Sequence, residues 1–197
     1  MTPRPRKASD DEIFGAVQRV MMRRGPSELT LSEIASEAGL TAGALVQRFG
    51  SKRELLLAMM ERWAGGAREM FDGLRASSTS PLDTIRMYAD CMAAMGESPG
   101  SLAHNLSWLQ VDLTDPDFNR HARRQAQDTR AELKRLVEEA VELGLLPRSV
   151  DAAVAARLIE TTVSGSLMTW AFYQEGSATD WMRHDVDRVL ALLGEAA

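Results

Sequence analysis

The chain has 197 residues, of which 45% are hydrophobic, and a formal net charge of −5 at pH 7. This composition is ordinary for a soluble globular protein, and no apolar run approaches the ~20 residues of a membrane-spanning helix. The N-terminus has basic residues without an apolar segment after them, so we expect no secretory signal. The single cysteine, Cys91, predicts no internal disulfide and favours a reducing cytoplasm.

The charge is unevenly distributed along the chain. Residues 1–55 hold nine Lys/Arg and seven Asp/Glu, whereas the remainder holds 14 and 21, so the basic surplus lies at the N-terminal end. Part of this surplus is a short basic arm formed by Arg4, Arg6 and Lys7. It is a modest electrostatic footprint for a nucleic-acid-binding domain, and the alternative for the arm is a solvated tail.

The sequence predicts an all-α protein. Pro and Gly punctuate segments of helical periodicity, and no convincing strand or internal repeat is evident. Three helix starts carry a capping box, in which Ser or Thr is followed three residues later by Glu: Ser9 and Glu12, Thr30 and Glu33, Ser51 and Glu54. About nine helices are predicted, near residues 10–24, 30–50 (two short helices), 51–75, 81–96, 98–113, 115–143, 150–173 and 178–193.

Residues 30–52, TLSEIASEAGLTAGALVQRFGSK, predict two short helices joined by a tight turn. The apolar positions form one stripe on each helix: Ile34, Ala35 and Ala38, then Leu45 and Phe49. Gly39 lies between the stripes, where a left-handed residue would end the first helix. This arrangement is typical of a helix-turn-helix, whose second helix enters the major groove of DNA.

Several residues of this motif have the chemistry of DNA contacts. Helix N-termini carry free N–H groups and a positive dipole end, so phosphates fit at the caps Thr30 and Thr41. Gln47 can pair bidentately with adenine and Arg48 with guanine, whereas Lys52 suits a phosphate. The full predicted set is Thr30, Thr41, Ala42, Gly43, Gln47, Arg48 and Lys52. Helix capping alone also explains the two threonines, and Gln47 and Arg48 could be ordinary exposed residues.

Residues 10–63 resemble the N-terminal domain of the tetracycline-repressor (TetR) family of transcription regulators. The resemblance rests on several residues at fixed offsets: Thr30, Ile34, Ala35, Ala38, Gly39, Leu40, Thr41, Gly43, Leu45, Phe49, Ser51, Lys52 and Leu55. It implies a helix-turn-helix DNA-binding domain over residues 1–55, including the basic arm, and a helical ligand-binding and dimerisation domain over residues 56–197. That larger region matches the family in helix number and length alone.

The second helix of the motif departs from the family pattern at three successive positions. The family usually has an aromatic residue, most often Tyr, after the position of Leu45, and its hydroxyl typically contacts a phosphate. Here Val46 stands at that position, Gln47 replaces a second frequent aromatic residue, and Arg48 replaces a frequent His. Losing one neutral hydrogen bond costs about 1 kcal/mol, and Arg48 could supply a stronger, charge-assisted contact. We therefore expect DNA binding with an altered sequence preference.

Residues 82–175 are rich in methionine and aromatic side chains, and methionine adapts to varied ligand shapes. His104, Trp108 and Asp112 are spaced to share one helix face, and a polar stripe that faces a helical bundle favours a cavity. The predicted effector-binding residues are Met87, Cys91, His104, Trp108, Asp112, Thr162, Ser166 and Trp170. The alternative is that these side chains are packed core.

The last two helices are predicted to form a dimer surface. They carry more apolar residues than one chain easily covers, and the predicted surface includes Leu158, Trp181, Val186 and Leu190. Two-fold symmetry would place two recognition helices about one turn of DNA, ~34–36 Å, apart, which favours a palindromic operator.

The residues and the resemblance together predict a cytoplasmic, homodimeric repressor that binds a palindromic DNA operator and is released by a small, largely apolar ligand. We expect no membrane partner, metal, cofactor or enzymatic activity, because the histidines are scattered and no phosphate-binding loop or nucleophile elbow occurs. The alternative is a helical small-molecule-binding protein whose DNA reading is weakened or lost, and Val46 and the small basic surplus motivate it.

Overall fold

The structure is a computed structural model that describes residues 8–25, 28–62, 66–96 and 98–195. These residues form ten α-helices and one short 3₁₀ helix without a strand among them, which confirms the predicted all-α class. The α-helices are α1 Asp10–Arg23, α2 Leu31–Glu37, α3 Ala42–Phe49, α4 Lys52–Arg62, α5 Gly66–Ser77, α6 Pro81–Ala93, α7 Pro99–Thr114, α8 Pro116–Glu142, α9 Ala152–Tyr173 and α10 Ala178–Glu195. The 3₁₀ helix is Ala94–Gly96.

Two stretches differ from the expected layout or fall outside it. Where the sequence predicted one long helix over residues 51–75, the structure has the two helices α4 and α5, and residues 63–65 between them lie outside the described residues. The predicted basic arm of Arg4, Arg6 and Lys7 also lies outside the described residues.

The helix starts follow from local hydrogen bonding. At α1 the capping box is complete, because Ser9 Oγ accepts from Glu12 N at 3.2 Å and the Glu12 carboxylate accepts from Ser9 N at 2.8 Å. The other two predicted boxes show a hydrogen bond of 3.2 Å from the third helical amide to the cap hydroxyl: Glu33 to Thr30, and Glu54 to Ser51. Such caps satisfy amide groups that the helix itself leaves unpaired.

The turn between α2 and α3 requires a glycine. Gly39 has φ of 68°, a left-handed conformation that costs a residue with a Cβ roughly 1–2 kcal/mol. The Gly39 amide donates to Ser36 O at 3.2 Å and the Leu40 amide to Ala35 O at 2.7 Å. This pair of bonds is a Schellman motif, which ends α2 and redirects the chain into α3.

The described residues form two compact units. The N-terminal unit contains residues up to 62 together with Ala103–Ala122, and the C-terminal unit contains residues from 66 to 102 and from 123 to 195. Residues 103–122, which the sequence assigned to the ligand-binding part, thus pack with the helix-turn-helix. The functional boundary at residue 55 stays a prediction.

Each unit has its own hydrophobic core. The core of the N-terminal unit joins α1, α2, α3 and α4 with Phe118 at the start of α8. Its buried side chains include Ile13, Ile34, Leu45 and Leu55. The core of the C-terminal unit joins α5, α6, α8, α9 and α10, and its fully buried side chains include Phe71, Ile85, Leu133, Ile159 and Met182. No helix among the described residues is long and apolar enough to cross a membrane.

Candidate nucleic-acid interface

The helix α3, which the sequence predicts to enter DNA, is anchored by its cap and its inner face. Thr41 Oγ1 accepts a hydrogen bond from Ala44 N at 3.2 Å, which fixes the first turn. Leu45 is 1% exposed in the core of the N-terminal unit. The ring of Phe49 lies 5.9 Å from that of Phe14 on α1, centroid to centroid. These contacts fix which face of α3 remains outside.

The opposite face of α3 is accessible. Gly43, Val46 and Gln47 are exposed, and Ala42 is half-buried. Among the described residues, a Cβ added to Gly43 would meet only Thr41 Oγ1, at 4.0 Å, so the space beside this backbone is open there. A partner could therefore approach the helix closely at Gly43.

The remaining predicted phosphate contacts lie at the starts of α2 and α4. Thr30 is exposed and caps α2. Lys52 Nζ donates to the carbonyl oxygen of Leu29 at 2.9 Å, which brings its ammonium group beside the residue that precedes Thr30. The structure thus places a cation next to a helix N-terminus, an arrangement that suits a phosphate.

Arg48 takes a different position from the one expected for a base contact. Its Nη1 donates to the carbonyl oxygen of Ala8 at 2.6 Å, and its Nη2 lies 2.7 Å from Oδ1 of Asp10. Asp10 is the first residue of α1, and Ala8 lies just before it. The guanidinium is therefore held by the N-terminal end of α1.

Other arginines of the N-terminal unit are also paired with carboxylates. Arg19 and Arg23 each donate to Glu37 at 2.7 Å. Both bonds lower the pKa of the Glu37 carboxyl, and the bond from Arg19 has the larger effect. Arg24 pairs with Glu28 at 3.2 Å. Such pairs reduce the net positive field that the unit presents to DNA.

Arg53 joins the start of α4 to the start of α8. It donates to both carboxylate oxygens of Asp115, at 3.0 and 2.9 Å, and to Asp117 at 2.6 Å. Its guanidinium also lies 5.8 Å from the centroid of the Phe118 ring. These bonds lower the pKa of both carboxyls and raise the pKa of Arg53. Sequence reasoning did not identify this cluster, although two aspartates flanking Pro116 at a helix start were a possible signal.

The predicted effector-binding residues are divided between the two units. His104, Trp108 and Asp112 lie on α7 in the N-terminal unit, whereas Met87, Cys91, Thr162, Ser166 and Trp170 belong to the C-terminal unit. Burial raises the pKa of the Asp112 carboxyl. The Nε1 atom of Trp108 is buried and has no hydrogen-bond partner among the described residues.

In the C-terminal unit two of the predicted effector residues have polar partners in the protein. Ser166 Oγ donates to Asp185 at 2.7 Å, and Trp170 Nε1 donates to the carbonyl oxygen of Gly176 at 3.2 Å. Both side chains are buried, so the packed-core alternative describes them well. Met87 and Thr162 are half-buried and Cys91 is exposed. The ligand role of this set stays a prediction.

The predicted dimer residues also differ in position. Val186 and Leu190 are buried in the chain's own core, so they are not available to a second copy. Helical periodicity identified the apolar face on which they lie, but not that helices of the same chain cover it. Trp181 is partly buried and stacks on Tyr173 with ring centroids 5.9 Å apart. Leu158 is exposed and belongs to an apolar stripe on one face of α9: Val154, Leu158, Met168 and Phe172. We call this set the α9 stripe.

An anchored helix-turn-helix with an accessible second helix, carried on an all-helical chain, defines a DNA-binding transcription regulator. A family model for bacterial regulatory proteins of the tetR family matches residues 13–59, and a tetracyclin repressor-like C-terminal domain matches residues 85–186. The chain belongs to the TetR family of transcription regulators, which confirms the resemblance noted in the sequence.

Similar proteins agree with this assignment. The chain is 25% identical over 194 residues to the HTH-type transcriptional regulator TtgR of Pseudomonas putida, with 89% of each chain covered. Escherichia coli NemR in its reduced form superposes with a TM-score of 0.75 at 18% identity, covering 95% of this chain and 99% of that one. The regulator FadR of Bacillus subtilis, in complex with stearoyl-CoA, gives 0.66 at 16%, covering 96% and 100%. At these identities the structures show a shared fold.

The accessible backbone at Gly43 generates a prediction. Replacing Gly43 with Ala should raise the free energy of unfolding by up to ~1 kcal/mol through helix propensity, yet weaken DNA binding because the new methyl group occupies the approach surface. Gly73→Ala is the control, since Gly73 is exposed inside α5 and a Cβ there meets no atom of the described residues within 4 Å. Denaturant unfolding and titration of a selected DNA duplex measure both effects. Equal DNA affinity of the two variants would contradict the assignment.

The Arg53 cluster predicts a pH dependence. Because Arg53 depresses the pKa of Asp115 and Asp117, the ion pairs stabilise the fold above the usual aspartate pKa of 3.8, and this stabilisation is lost as the pH falls through the depressed values. Arg53→Ala should therefore be less stable than wild type at pH 7, with the difference shrinking below pH ~4. Denaturant unfolding at several pH values measures it.

Arg120→Ala is the control for this experiment, because Arg120 contacts Asp117 at 2.7 Å but not Asp115. Its effect should be smaller over the same pH range. A loss of stability in Arg53→Ala that does not change with pH would mean that ring packing on Phe118, and not the carboxylates, is responsible.

Proposed function

We propose that this protein is a homodimeric repressor that binds a palindromic DNA operator and releases it when a small, largely apolar ligand binds. The observation that carries the proposal is that the N-terminal unit contains part of α7 and α8 as well as the helix-turn-helix. Residues 103–122 share a core with the recognition helix and are held to α4 by Arg53. A ligand that contacts α7 therefore acts on the same packed unit that presents α3 to DNA.

The DNA-binding part of the proposal rests on the exposed surface of the helix-turn-helix. Thr41, Gly43 and Gln47 lie on the accessible face of α3, and Thr30 and Lys52 lie beside the start of α2. Phosphate contacts at the helix starts would fix the register, and Gln47 would discriminate bases. TtgR of Pseudomonas putida, to which the chain is similar, is likewise an HTH-type transcriptional regulator.

The ligand part of the proposal rests on α7. Trp108 offers a buried indole N–H without a partner among the described residues, and the half-buried Asp112 has a raised pKa. A buried donor of this kind is costly unless an acceptor satisfies it. A largely apolar ligand that carries one hydrogen-bond acceptor would suit such a position. FadR of Bacillus subtilis, which has the same fold, was solved with stearoyl-CoA.

The dimer part of the proposal rests on the α9 stripe. Phe172 is 84% exposed and Val154 is 65% exposed. Both lie on the same face of α9 as the exposed Leu158 and Met168. Four large apolar side chains exposed along one face of a single helix favour a protein interface. Two copies related by a two-fold axis would bury it isologously and pair two recognition helices with two half-sites.

The proposed division of labour assigns DNA binding to residues 1–55 and ligand binding and dimerisation to residues 56–197. Within the second part, residues 103–122 pack with the helix-turn-helix. The protein would act on cytoplasmic DNA, and no catalytic step is proposed.

A second candidate is a helical ligand-binding protein with weakened DNA reading. It is favoured by Val46, which is 46% exposed and cannot donate a hydrogen bond, and by the intramolecular pairing of Arg48. Both features reduce the number of side chains that are ready to contact DNA. The two candidates differ in sequence specificity and in the salt dependence of binding.

Selection of duplexes from a randomised DNA pool by the full-length protein separates the two candidates. A repressor should enrich a palindrome with half-sites about one helical turn apart, bind it with an affinity that falls steeply with salt, and release it when metabolite extract is added. Enrichment of no sequence, with weak binding at all salt concentrations, would favour the second candidate. Enrichment without release by extract would leave the repressor but remove the proposed ligand control.

The α9 stripe generates a separate prediction. Leu158→Asp should convert the dimer into a monomer and abolish binding to a palindrome, because burying an unpaired charge costs roughly 3–5 kcal/mol. Leu143→Asp is the control, since Leu143 is exposed in the same unit but outside the stripe. Sedimentation velocity measures the oligomeric state. A dimeric Leu158→Asp variant would show that the interface lies elsewhere.

A further inference from the structure

The guanidinium of Arg48 is held against the protein by three contacts. Nη1 donates to the Ala8 carbonyl oxygen at 2.6 Å, Nη2 lies 2.7 Å from Asp10 Oδ1, and the central carbon lies 5.7 Å from the centroid of the Phe49 ring. Charge-assisted bonds of this length are among the stronger hydrogen bonds in proteins. Each of the two terminal nitrogens thus makes one contact with the N-terminal end of α1.

The side chain of the neighbouring residue, Gln47, is exposed on the surface of α3. In the described part of the chain it makes no hydrogen bond or ion pair. Its amide can donate to and accept from one base edge at once, a pairing that suits adenine. The exposed face of α3 therefore has one polar side chain ready to read a base, and that side chain is Gln47.

We propose that Arg48 is a positioning residue and that Gln47 discriminates the bases. Arg48 fastens the last turn of α3 to Ala8 and Asp10 of α1, so that α3 enters the groove at a fixed angle. This role rests on the proposed operator binding. It replaces the expectation that Arg48 pairs with guanine. Pre-ordering of the helix raises DNA affinity because less conformational freedom is lost on binding.

Base preference tests the two roles directly. Duplexes are selected from a randomised pool by wild type, Arg48→Ala and Gln47→Ala. Arg48→Ala should enrich the same sequence as wild type and bind it about tenfold more weakly, the scale of one charge-assisted bond. Gln47→Ala should lose the preference at one A·T position of each half-site. Loss of preference at a G·C position in Arg48→Ala would overturn the proposal.

The partner of Arg48 supplies a matched pair of variants. Asp10→Asn removes the ion pair with Arg48, whereas Asp11→Asn removes the same charge from the same turn but breaks a contact with Arg62, at 3.1 Å. Asp10→Asn should bind the selected duplex about threefold more weakly than Asp11→Asn, within the range of exposed ion pairs. Tighter binding by Asp10→Asn would mean that Asp10 competes with DNA for Arg48, which would overturn the proposal.

Two further readouts separate positioning from general destabilisation. Arg48→Lys keeps a cation near Asp10 and should recover part of the affinity that Arg48→Ala loses. Asp10→Asn added to Arg48→Ala should cause no further loss, because both changes break one interaction. The thermal unfolding midpoints of Asp10→Asn and Asp11→Asn should be equal. If the thermal unfolding midpoint falls in parallel with DNA affinity across all variants, Arg48 acts only by stabilising the fold, and the positioning role is overturned.

An NMR measurement keeps this proposal distinct from operator binding itself. In DNA-free protein the Arg48 guanidinium resonance should shift in Asp10→Asn and stay in place in Asp11→Asn. If it shifts in neither variant, Arg48 is not held by Asp10, and the proposal is overturned. If wild type enriches no DNA sequence, operator binding fails, while this measurement still decides whether Arg48 is held by Asp10. With a selected duplex bound, persistence of the Arg48 signal supports positioning, and its displacement supports release to DNA.

Discussion

Helices α2 and α3 are too short to be stable alone, so the DNA-binding surface that they form depends on their packing against the core. They have seven and eight residues, whereas isolated helices below ~12–15 residues are marginal in water. Their positions are set by the apolar side chains that they bury, chiefly Ile34 and Leu45, each of which contributes roughly 1.5–3 kcal/mol. The position of the accessible face of α3 is therefore set by the core beneath it.

That core includes a segment distant in the sequence. Phe118 is buried with the helix-turn-helix, and Arg53 is bonded to Asp115 and Asp117 on either side of the α7–α8 junction. The helix that precedes this junction carries Trp108, which is partly buried against the same core. Since packed cores resist continuous deformation, a displacement of α7 would be transmitted to the elements that hold α3. This arrangement gives the proposed ligand control a physical route within one unit.

The ion pairs of the N-terminal unit explain why its small basic surplus gives only a modest positive field. Arginines in α1 and at the ends of α3 and α4 are paired with carboxylates, so they organise the unit more than they attract DNA. In the proposed complex with DNA, the helix N-termini at Thr30 and Thr41 would supply part of the attraction. A surface of this kind obtains its specificity from shape and from a few exposed side chains.

The sequence by itself determined the local features. The all-α class, the caps at Ser9, Thr30 and Thr41 and the left-handed Gly39 were all predictable, because each depends on residues within a few positions of one another. The family followed from the same short stretch.

The tertiary structure decided the long-range features. Arg48 contacts Ala8 across 40 positions, Arg53 contacts Asp115 across 62, and Val186 is covered by its own chain and so is not free for a partner. Helical periodicity shows which residues share a face, but it carries no information about which helix covers that face. Only the packing of distant segments determines whether an arginine on the recognition helix points towards DNA or towards α1.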